Sequence, residues 1–127
     1  MNLVLDTCAL LWLTLDPSSL SPRAHKALSE ADHLTISSIS VWEVGVKWKS
    51  GKIDLGTNYE DYISRVTSCS DFVLMAVDAR MWAKSILLPW EHRDPADRVI
   101  VALAQDLDAT IITADKEIAK FYKRCLA

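Results

Sequence analysis

Short, mostly apolar runs alternate along this chain with longer segments in which apolar residues recur at helical spacing. The runs at 2–5, 34–37, 72–76 and 110–113 are four or five residues long, a length typical of strands rather than of helices. Strands that are apolar on both faces occur in parallel sheets whose two sides are covered by helices. The sequence therefore predicts an α/β fold, in which a short parallel sheet lies between two helical layers.

The segments between these runs carry the signals of helix starts and helical repeats. Ser21 followed by Pro22 is typical of an N-cap and the first helical position, and Asp78 precedes apolar residues at i, i+3, i+4 and i+7. The predicted helices span about 7–15, 22–31, 38 or 40 to 50, 59–68, 79–86 and 95–107, with a last short helix from about 116. Trp42 and Trp82 lie on apolar helical faces, so we expect both to be core residues.

Length and composition fit one folded domain that spans residues 1–127. Of these residues 24% are charged and 50% are hydrophobic, which excludes a disordered tail, a collagen-like chain and a coiled-coil rod. No apolar run reaches the roughly 18 to 20 residues of a membrane helix, and the N-terminus lacks the basic start of a signal peptide. The three widely spaced cysteines, Cys8, Cys69 and Cys125, indicate neither a disulfide framework nor a zinc site. We therefore expect a cytoplasmic protein without a membrane segment.

The charge balance excludes one way of binding nucleic acid. With 17 acidic against 14 basic residues the formal net charge is -3, which argues against binding through bulk positive charge. A metal-dependent nuclease escapes this argument when several of its acids are metal ligands. The positions of the acids therefore decide more than their number.

Four acids lie where the predicted fold would bring them together. Asp6 directly follows the first strand and Asp115 follows the last predicted strand by two residues; ligands of parallel sheets bind beyond such carboxyl ends. Asp97 lies in the first turn of the helix with the strongest apolar repeat. Glu43 shares a helical face with Ile39 and Val46, whose apolar character predicts that this face turns inward.

Each of these acids also has a purely structural interpretation. Asp6 and Asp115 can cap the helices that follow them, Asp94 and Asp97 fit an N-cap and N3 pair around Pro95, and Glu43 can pair with Lys47. One shared site explains four acids more simply than four coincidences. Carboxylates gathered in one pocket repel each other unless a cation neutralises them, and oxygen ligands select Mg²⁺ or Mn²⁺ rather than zinc.

Four segments, taken in this order and in a chain of this length, resemble PIN-domain ribonucleases, specifically the VapC-type toxins of bacterial toxin–antitoxin pairs. They are Asp6-Thr7, Trp42-Glu43 at the end of the run 37–43, the run His92-Arg93-Asp94-Pro95-Ala96-Asp97-Arg98, and Thr113-Ala114-Asp115. Each motif alone is weak, and together they cover nearly the whole chain. Ala96 departs from the family, which often has a bulkier residue at this position.

The resemblance implies an α/β/α fold and a Mg²⁺- or Mn²⁺-dependent endoribonuclease that cuts RNA of the translation machinery. By position, Asp6, Glu43 and Asp97 match the main acidic triad and Asp115 matches the fourth acid, so all four are expected to hold the metal and serve catalysis. Thr7 and Thr113 occupy places where the family often has a hydroxyl that supports the metal or its water. The resemblance also implies a homodimer and a cognate antitoxin protein as a partner.

Other residues near these motifs carry weaker expectations. Lys47, Arg98 and Lys116 flank the acids and are predicted to contact the RNA phosphate, whereas His92 is interpreted as a loop residue rather than a general base. Trp12 and Trp48 are candidates for a groove that receives an antitoxin helix, because aromatic anchors dominate such interfaces. The alternative for both is burial in the core.

Two alternatives belong to other functional classes. A receiver-like signalling module also has alternating strands and helices and acids that bind Mg²⁺, but it requires an acceptor aspartate after a central strand and a lysine after a late strand. A non-catalytic protein-interaction domain would use the acids only as helix caps. Phosphotransfer from a small phosphodonor to an aspartate, detected as a labile acyl phosphate, would identify the first alternative. The second predicts that removing Asp6 or Asp97 lowers stability by about 1 kcal/mol and that the protein shows no metal dependence.

Overall fold

The fold of the computed structural model, which describes residues 2–127, is a five-stranded parallel sheet between two layers of helices. The strands are β1 (Asn2–Leu5), β2 (His33–Ser37), β3 (Phe72–Met75), β4 (Thr110–Ile112) and β5 (Cys125–Leu126). They are hydrogen-bonded in the order β3-β2-β1-β4-β5. The predicted α/β class and parallel sheet are confirmed, and β5, only two residues long, is the strand that the sequence did not predict.

Within residues 2–127, the helices begin and end close to the predicted positions. They are α1 (Thr7–Leu15), α2 (Pro22–Glu30), α3 (Ser38–Lys49), α4 (Tyr59–Ser68), α5 (Ala79–Leu87), α6 (Pro95–Leu107) and α7 (Lys116–Phe121), with a 3₁₀ turn at Pro17–Ser19. The predicted cap side chains form hydrogen bonds: Ser21 accepts from the Ala24 backbone N–H, and Asp78 accepts from that of Met81. Local capping chemistry therefore explains why the helix starts were readable.

The path of the chain creates a switch point beside β1. From β1 the chain runs outward through β2 to β3, and it then returns to the other side of β1 to form β4. Leu5 pairs with Ile112 at the carboxyl ends of β1 and β4, so the residues that follow, Asp6 and Thr113, become neighbours. Ligands of open parallel sheets bind at such a point.

The strand order also excludes the receiver-like alternative. Flavodoxin-like folds, which include receiver domains, have the order 2-1-3-4-5. Here the central strand is β1, and β2 and β3 lie on one side of it. The receiver-like interpretation is therefore wrong at the level of topology.

The sheet separates two apolar cores, which supplies the three predicted layers. Leu3 and Leu5 of β1 pack with residues of α1, α2, α3 and α4 on one side, and Val4 packs with α5, α6 and α7 on the other. This alternation is the period-two pattern of a strand. Leu3, Val4 and Leu5 are fully buried, so both faces of β1 are covered along its apolar part, as expected for a strand of a parallel sheet.

Two tryptophans contradict the prediction that helical apolar faces are buried. Trp42 is 63% exposed and Trp82 is 42% exposed, and Val46 on the face shared with Glu43 is 47% exposed. Helical periodicity shows which residues share a face, but it does not show whether the same chain covers that face. Among residues 2–127, none of the helices combines the length and apolarity needed to cross a membrane.

Candidate active site

One cavity at the switch point gathers all four predicted acids. It has a volume of about 400 Å³, and we call it the acid cavity. Its lining residues come from four separate parts of the chain: Asp6, Thr7, Cys8 and Trp12; Glu43 and Lys47; Asp94 and Asp97; Ala114 and Asp115. Acids that are up to 109 positions apart in the sequence thus share one space.

Asp6 is the most deeply buried of these acids, with 6% of its surface exposed. Its carboxylate caps α1 by accepting the Ala9 backbone N–H at 2.8 Å, and it accepts a second hydrogen bond from the Thr113 hydroxyl. Burial raises the pKa of Asp6 above its ordinary value, and the negative charges of Asp115 and Glu43 raise it further. The two hydrogen bonds offset only part of this effect.

Glu43 extends from α3 toward the hydroxyl of Thr7. Thr7 donates to the Glu43 carboxylate, and the Ser40 hydroxyl, 2.9 Å from that of Thr7, donates to Thr7 in turn. Burial raises the pKa of Glu43, and the charge of Asp94 adds to the increase. Lys47, one helical turn further along α3, counteracts this increase only in part.

Asp97 has the largest resolved pKa shift in the cavity. Its carboxylate lies 2.7 Å from Nε2 of His92. Burial raises the pKa of Asp97 to about 6, and the charges of Asp94 and Asp115 contribute, although the hydrogen bond from His92 lowers it. At neutral pH the cavity therefore holds charge that the protein itself does not neutralise.

Asp115 combines a structural role with a position in the cavity. Its carboxylate caps α7 by accepting the backbone N–H groups of Glu117 at 2.8 Å and Ile118 at 3.1 Å. Its own backbone N–H donates to the Thr113 hydroxyl at 3.0 Å. Thr113 therefore connects Asp6 to the Asp115 backbone, and Thr7 plays a similar connecting role for Glu43.

The donor set fits a hydrated, hard divalent ion. The acids offer only carboxylate oxygens, which Mg²⁺ and Mn²⁺ prefer. Burial and the neighbouring negative charges raise the pKa values of Asp6, Glu43 and Asp97, and a divalent cation would favour their charged forms. Among residues 2–127 no three Asp, Glu, His or Cys side chains are already placed to hold one ion. Mg²⁺ does not need such a cage, because it usually retains several waters and uses one or two carboxylates.

The three basic residues predicted to contact RNA have different environments. Lys47 lines the acid cavity, and Lys116 is exposed at the start of α7, beside Asp115. Arg98 instead donates all five of its guanidinium N–H groups to backbone carbonyls, those of Ser85, Ile86, Leu88, Trp90 and His92. No guanidinium N–H group is left to bind a phosphate, so the predicted RNA contact of Arg98 is not supported. Arg98 instead holds the end of α5 and the loop between α5 and α6 in place.

The sequence analysis missed two functional candidates, one that lines the cavity and one that contacts a cavity residue. Asp94 caps α6 as predicted, accepting the Asp97 backbone N–H at 2.9 Å, but it also lines the cavity and adds to its negative charge. His92 was interpreted only as a loop residue, yet it bonds to Asp97. The signal for both was their presence in the run 92–98, which carries Asp97 itself.

The comparisons with known proteins agree with this geometry. A family model described as PIN domain matches residues 3–124. This chain belongs to the PIN-domain family. The chain is 26% identical over 118 residues to ribonuclease VapC22 of Mycobacterium tuberculosis, an alignment that covers 92% of this chain and 89% of the relative. The membership predicted from four short motifs is therefore confirmed.

Solved structures share the fold of this PIN domain. A toxin–antitoxin complex from Klebsiella pneumoniae matches with a TM-score of 0.66 and 22% identity, over 98% of this chain and 95% of the other. VapBC2 from Rickettsia felis, bound to a DNA fragment from their promoter, matches with a TM-score of 0.68 and 17% identity, over 100% and 98%. The three-layer α/β/α architecture is thus that of VapC-type PIN domains.

Proposed function

We propose that this PIN domain is a divalent-metal-dependent endoribonuclease and the toxin of a toxin–antitoxin pair, acting on RNA of the translation machinery. The observation that carries the proposal is the acid cavity, where Asp6, Glu43, Asp97 and Asp115 meet at the switch point. The kinship to a relative named as a ribonuclease supports the same reaction class. The substrate RNA and a cytoplasmic location, which the three free cysteines fit, belong to the same proposal.

The residues of the cavity divide the work of phosphodiester hydrolysis. Asp6, Glu43, Asp97 and Asp115 would hold Mg²⁺ or Mn²⁺, which when bound polarises a phosphoryl oxygen and makes water a better nucleophile. The hydroxyls of Thr7 and Thr113 orient Glu43 and Asp6 by hydrogen bonds. The ammonium of Lys47, inside the same cavity, attracts the phosphate of the bound strand, and a cavity carboxylate accepts the proton of the attacking water.

The pKa values distinguish this proposal from the interpretation of the acids as mere helix caps. Asp6 and Asp115 do cap α1 and α7, as a non-catalytic interaction domain would require. Capping alone, however, lowers the pKa of a carboxylate, because the bonds favour its charged form. The pKa values of Asp6, Glu43 and Asp97 are instead all raised, which supports a site built for a cation.

The decisive experiment is cleavage of RNA by the purified protein, freed of any partner. Total cellular RNA is incubated with wild type and with Asp97→Asn in Mn²⁺, Mg²⁺ or EDTA. We expect discrete fragments from the wild type in at least one of the two ions and none in EDTA or from the variant. Absence of cleavage by a folded, ion-saturated wild type would contradict the proposal.

A second copy of this chain is the partner we propose for the exposed apolar residues of α3 and α5. These residues are Trp42, Val46, Trp82, Ile86 and Leu87, and we call them the apolar face. Ile86 is 73% exposed and Leu87 is 78% exposed. Trp42 and Trp82 line one apolar cavity, and exposed apolar surface marks interaction sites in folded proteins. The resemblance to VapC toxins implies a homodimer.

The antitoxin partner fits a different surface, which adjoins the acid cavity. A groove of about 300 Å³ runs between α1 and the segment after α3, and Leu11, Leu15 and Ile53 are among its lining residues. It shares Trp12 and Lys47 with the acid cavity. The predicted antitoxin contact of Trp12 fits this groove, which Trp12 lines. Trp48 is not among the lining residues; it is 41% exposed and stacks on Tyr59. A protein segment in this groove would also obstruct access to the acids.

A further inference from the structure

The loop between α5 and α6 holds His92 in a stack of three aromatic rings. The ring of His92 stacks on Trp90, with centroids 4.7 Å apart and planes 29° apart. The other neighbour of Trp90 is Phe121 of α7, at 4.9 Å and 10°. An imidazole in such a stack has little freedom to rotate, so its ring nitrogens point in fixed directions.

Arg98 holds the backbone of the same loop by hydrogen bonds. Its guanidinium binds the backbone carbonyls of Trp90 and His92, together with three carbonyls from the end of α5 and the start of the loop. These are charge-assisted hydrogen bonds, which are the stronger kind. The backbone of His92 and its side chain are thus held by independent interactions.

The contact between His92 and Asp97 replaces the ordinary contact of an acid at this position. Asp94 is the N-cap of α6 and Asp97 is its third helical residue, where an acidic side chain can reach back to the N-cap backbone N–H. In this structure the Asp97 carboxylate instead lies 2.7 Å from Nε2 of His92 and lines the acid cavity. The bond engages Oδ2 and so fixes the orientation of Oδ1.

We propose that His92 is a positioning residue, which aims the Asp97 carboxylate at the ion of the acid cavity. The inference rests on the proposed metal-dependent function and deepens it, because it adds a residue that supports a ligand without touching the ion. An ionised carboxylate only accepts hydrogen bonds, so Nε2 of His92 is the donor. The stack with Trp90 and the carbonyl clamp of Arg98 set the direction of that donor.

Interactions that orient metal ligands have a measurable consequence. Loss of such an outer partner typically weakens metal affinity or activity by about 10- to 100-fold. For His92→Ala we expect a loss of Mn²⁺ affinity within this range, because Asp97 becomes free to rotate. Saturating Mn²⁺ should restore most of the activity, because a weakened ligand is compensated by more ion. If His92 were a general base in the reaction, kcat would stay low at saturating Mn²⁺.

The experiment measures Mn²⁺ affinity by calorimetry and RNA cleavage as a function of Mn²⁺ concentration. His92→Gln retains an N–H donor near the position of Nε2 and should recover most of the affinity. Trp90→Leu keeps His92 but removes its stacking surface, and should give a smaller loss. The matched control is His25→Ala, since Nε2 of His25 makes a single 2.7 Å contact to the Pro17 carbonyl outside the acid cavity and should leave the Mn²⁺ affinity unchanged.

The outcomes separate this inference from the proposed function. Wild type that neither binds Mn²⁺ nor cuts RNA would contradict the function. Wild type that does both, while His92→Ala binds Mn²⁺ equally well with an unchanged melting temperature, would overturn the positioning role alone. A loss of affinity in His92→Ala that His92→Gln does not recover would also overturn it, because the Nε2 donor would then be irrelevant.

Discussion

The acid cavity and the cavity beside the apolar face both take lining residues from α3 and α6, yet the first is lined by acids and the second mainly by apolar side chains. The second cavity has a volume of about 430 Å³ and is lined by Ser38, Ile39, Trp42, Val77, Trp82 and Pro95. Trp42 faces it, while the next residue of α3, Glu43, faces the acid cavity. On α6, Pro95 and Asp97 are divided in the same way.

Each cavity has an unfavourable property that the isolated chain does not compensate, and the property differs between the two. In the acid cavity the unsatisfied quantity is negative charge, which a cation neutralises. Around the second cavity it is apolar surface exposed to water, which another protein surface covers. Uncompensated negative charge therefore indicates a cation as the partner, and exposed apolar surface indicates a protein. Substitutions in one cavity should leave the function of the other intact.

The largest effect is expected from neutralising the most buried acid. Asp6→Asn keeps the shape of the side chain but removes a charge that would hold the ion. Since a catalytic ion supplies several kcal/mol of transition-state stabilisation, we expect cleavage to fall by at least about 10³-fold. RNA cleavage at saturating Mn²⁺ measures this, with native gel filtration to show that the oligomeric state is unchanged.

The control for that variant is Asp108→Asn. Asp108 is an exposed acid at the C-cap of α6 with φ +52°, a left-handed conformation that Asn also adopts readily. Its activity should equal that of the wild type. An Asp6→Asn variant that retained a tenth or more of the wild-type rate would exclude Asp6 from the metal site.

The second effect concerns stability in EDTA and its dependence on pH. Because the folded protein raises the pKa of Asp97 from 3.8 to about 6, it binds this proton more tightly than the unfolded chain. The free energy of unfolding should therefore fall as the pH rises from about 4 to about 6. Asp97 contributes less than about 3 kcal/mol to this fall, because solvent screens the charge of a partly exposed group. Asp97→Asn should raise the melting temperature above pH 6 and abolish the stabilisation of the protein by Mn²⁺.

Asp106, on the same helix, is the matched control with the opposite sign. Its carboxylate accepts hydrogen bonds from Arg80 and Lys84, and these cations lower its pKa. The associated stability is present at neutral pH and is lost as the solution becomes strongly acidic. Asp106→Asn should lower the melting temperature at pH 7 by about 1–2 °C, because exposed pairs contribute little. Equal effects of the two variants would show that Asp97 is an ordinary surface acid.

The third effect concerns self-association through the apolar face. Leu87→Glu places a charge on the apolar face and should weaken self-association by at least about 100-fold, as measured by light scattering, with ion binding unchanged. Leu15→Glu places the same charge in the groove beside the acid cavity. The Leu15→Glu variant should self-associate like the wild type but bind the antitoxin more weakly, measured as weaker inhibition of RNA cleavage by the antitoxin.

The homodimer itself would be contradicted by a wild-type protein that is monomeric at all concentrations.

The parts of the fold that could be predicted from the sequence are those set by interactions between residues close in the chain. The cap residues Ser21 and Asp78, and the apolar repeat of α6, act within one or two turns, so they predict elements correctly. The burial of Trp42 and Trp82 depends on surfaces that the chain does not supply, so their periodicity was misleading. The gathering of the acids was predicted through strand ends and family motifs, whereas the role of His92 depends on a loop conformation that no repeat specifies.

The hydrogen bond from Thr113 to Asp6 joins two residues of the site that are 107 positions apart in the sequence. Chains grow from their N-terminus and begin to fold during synthesis, but β1 must wait for β4 before Asp6 acquires this partner. All four acids come together only after residue 115 has been added and β4 has docked beside β1. A ribonuclease with this topology would thus be inactive as a nascent chain until β4 has docked.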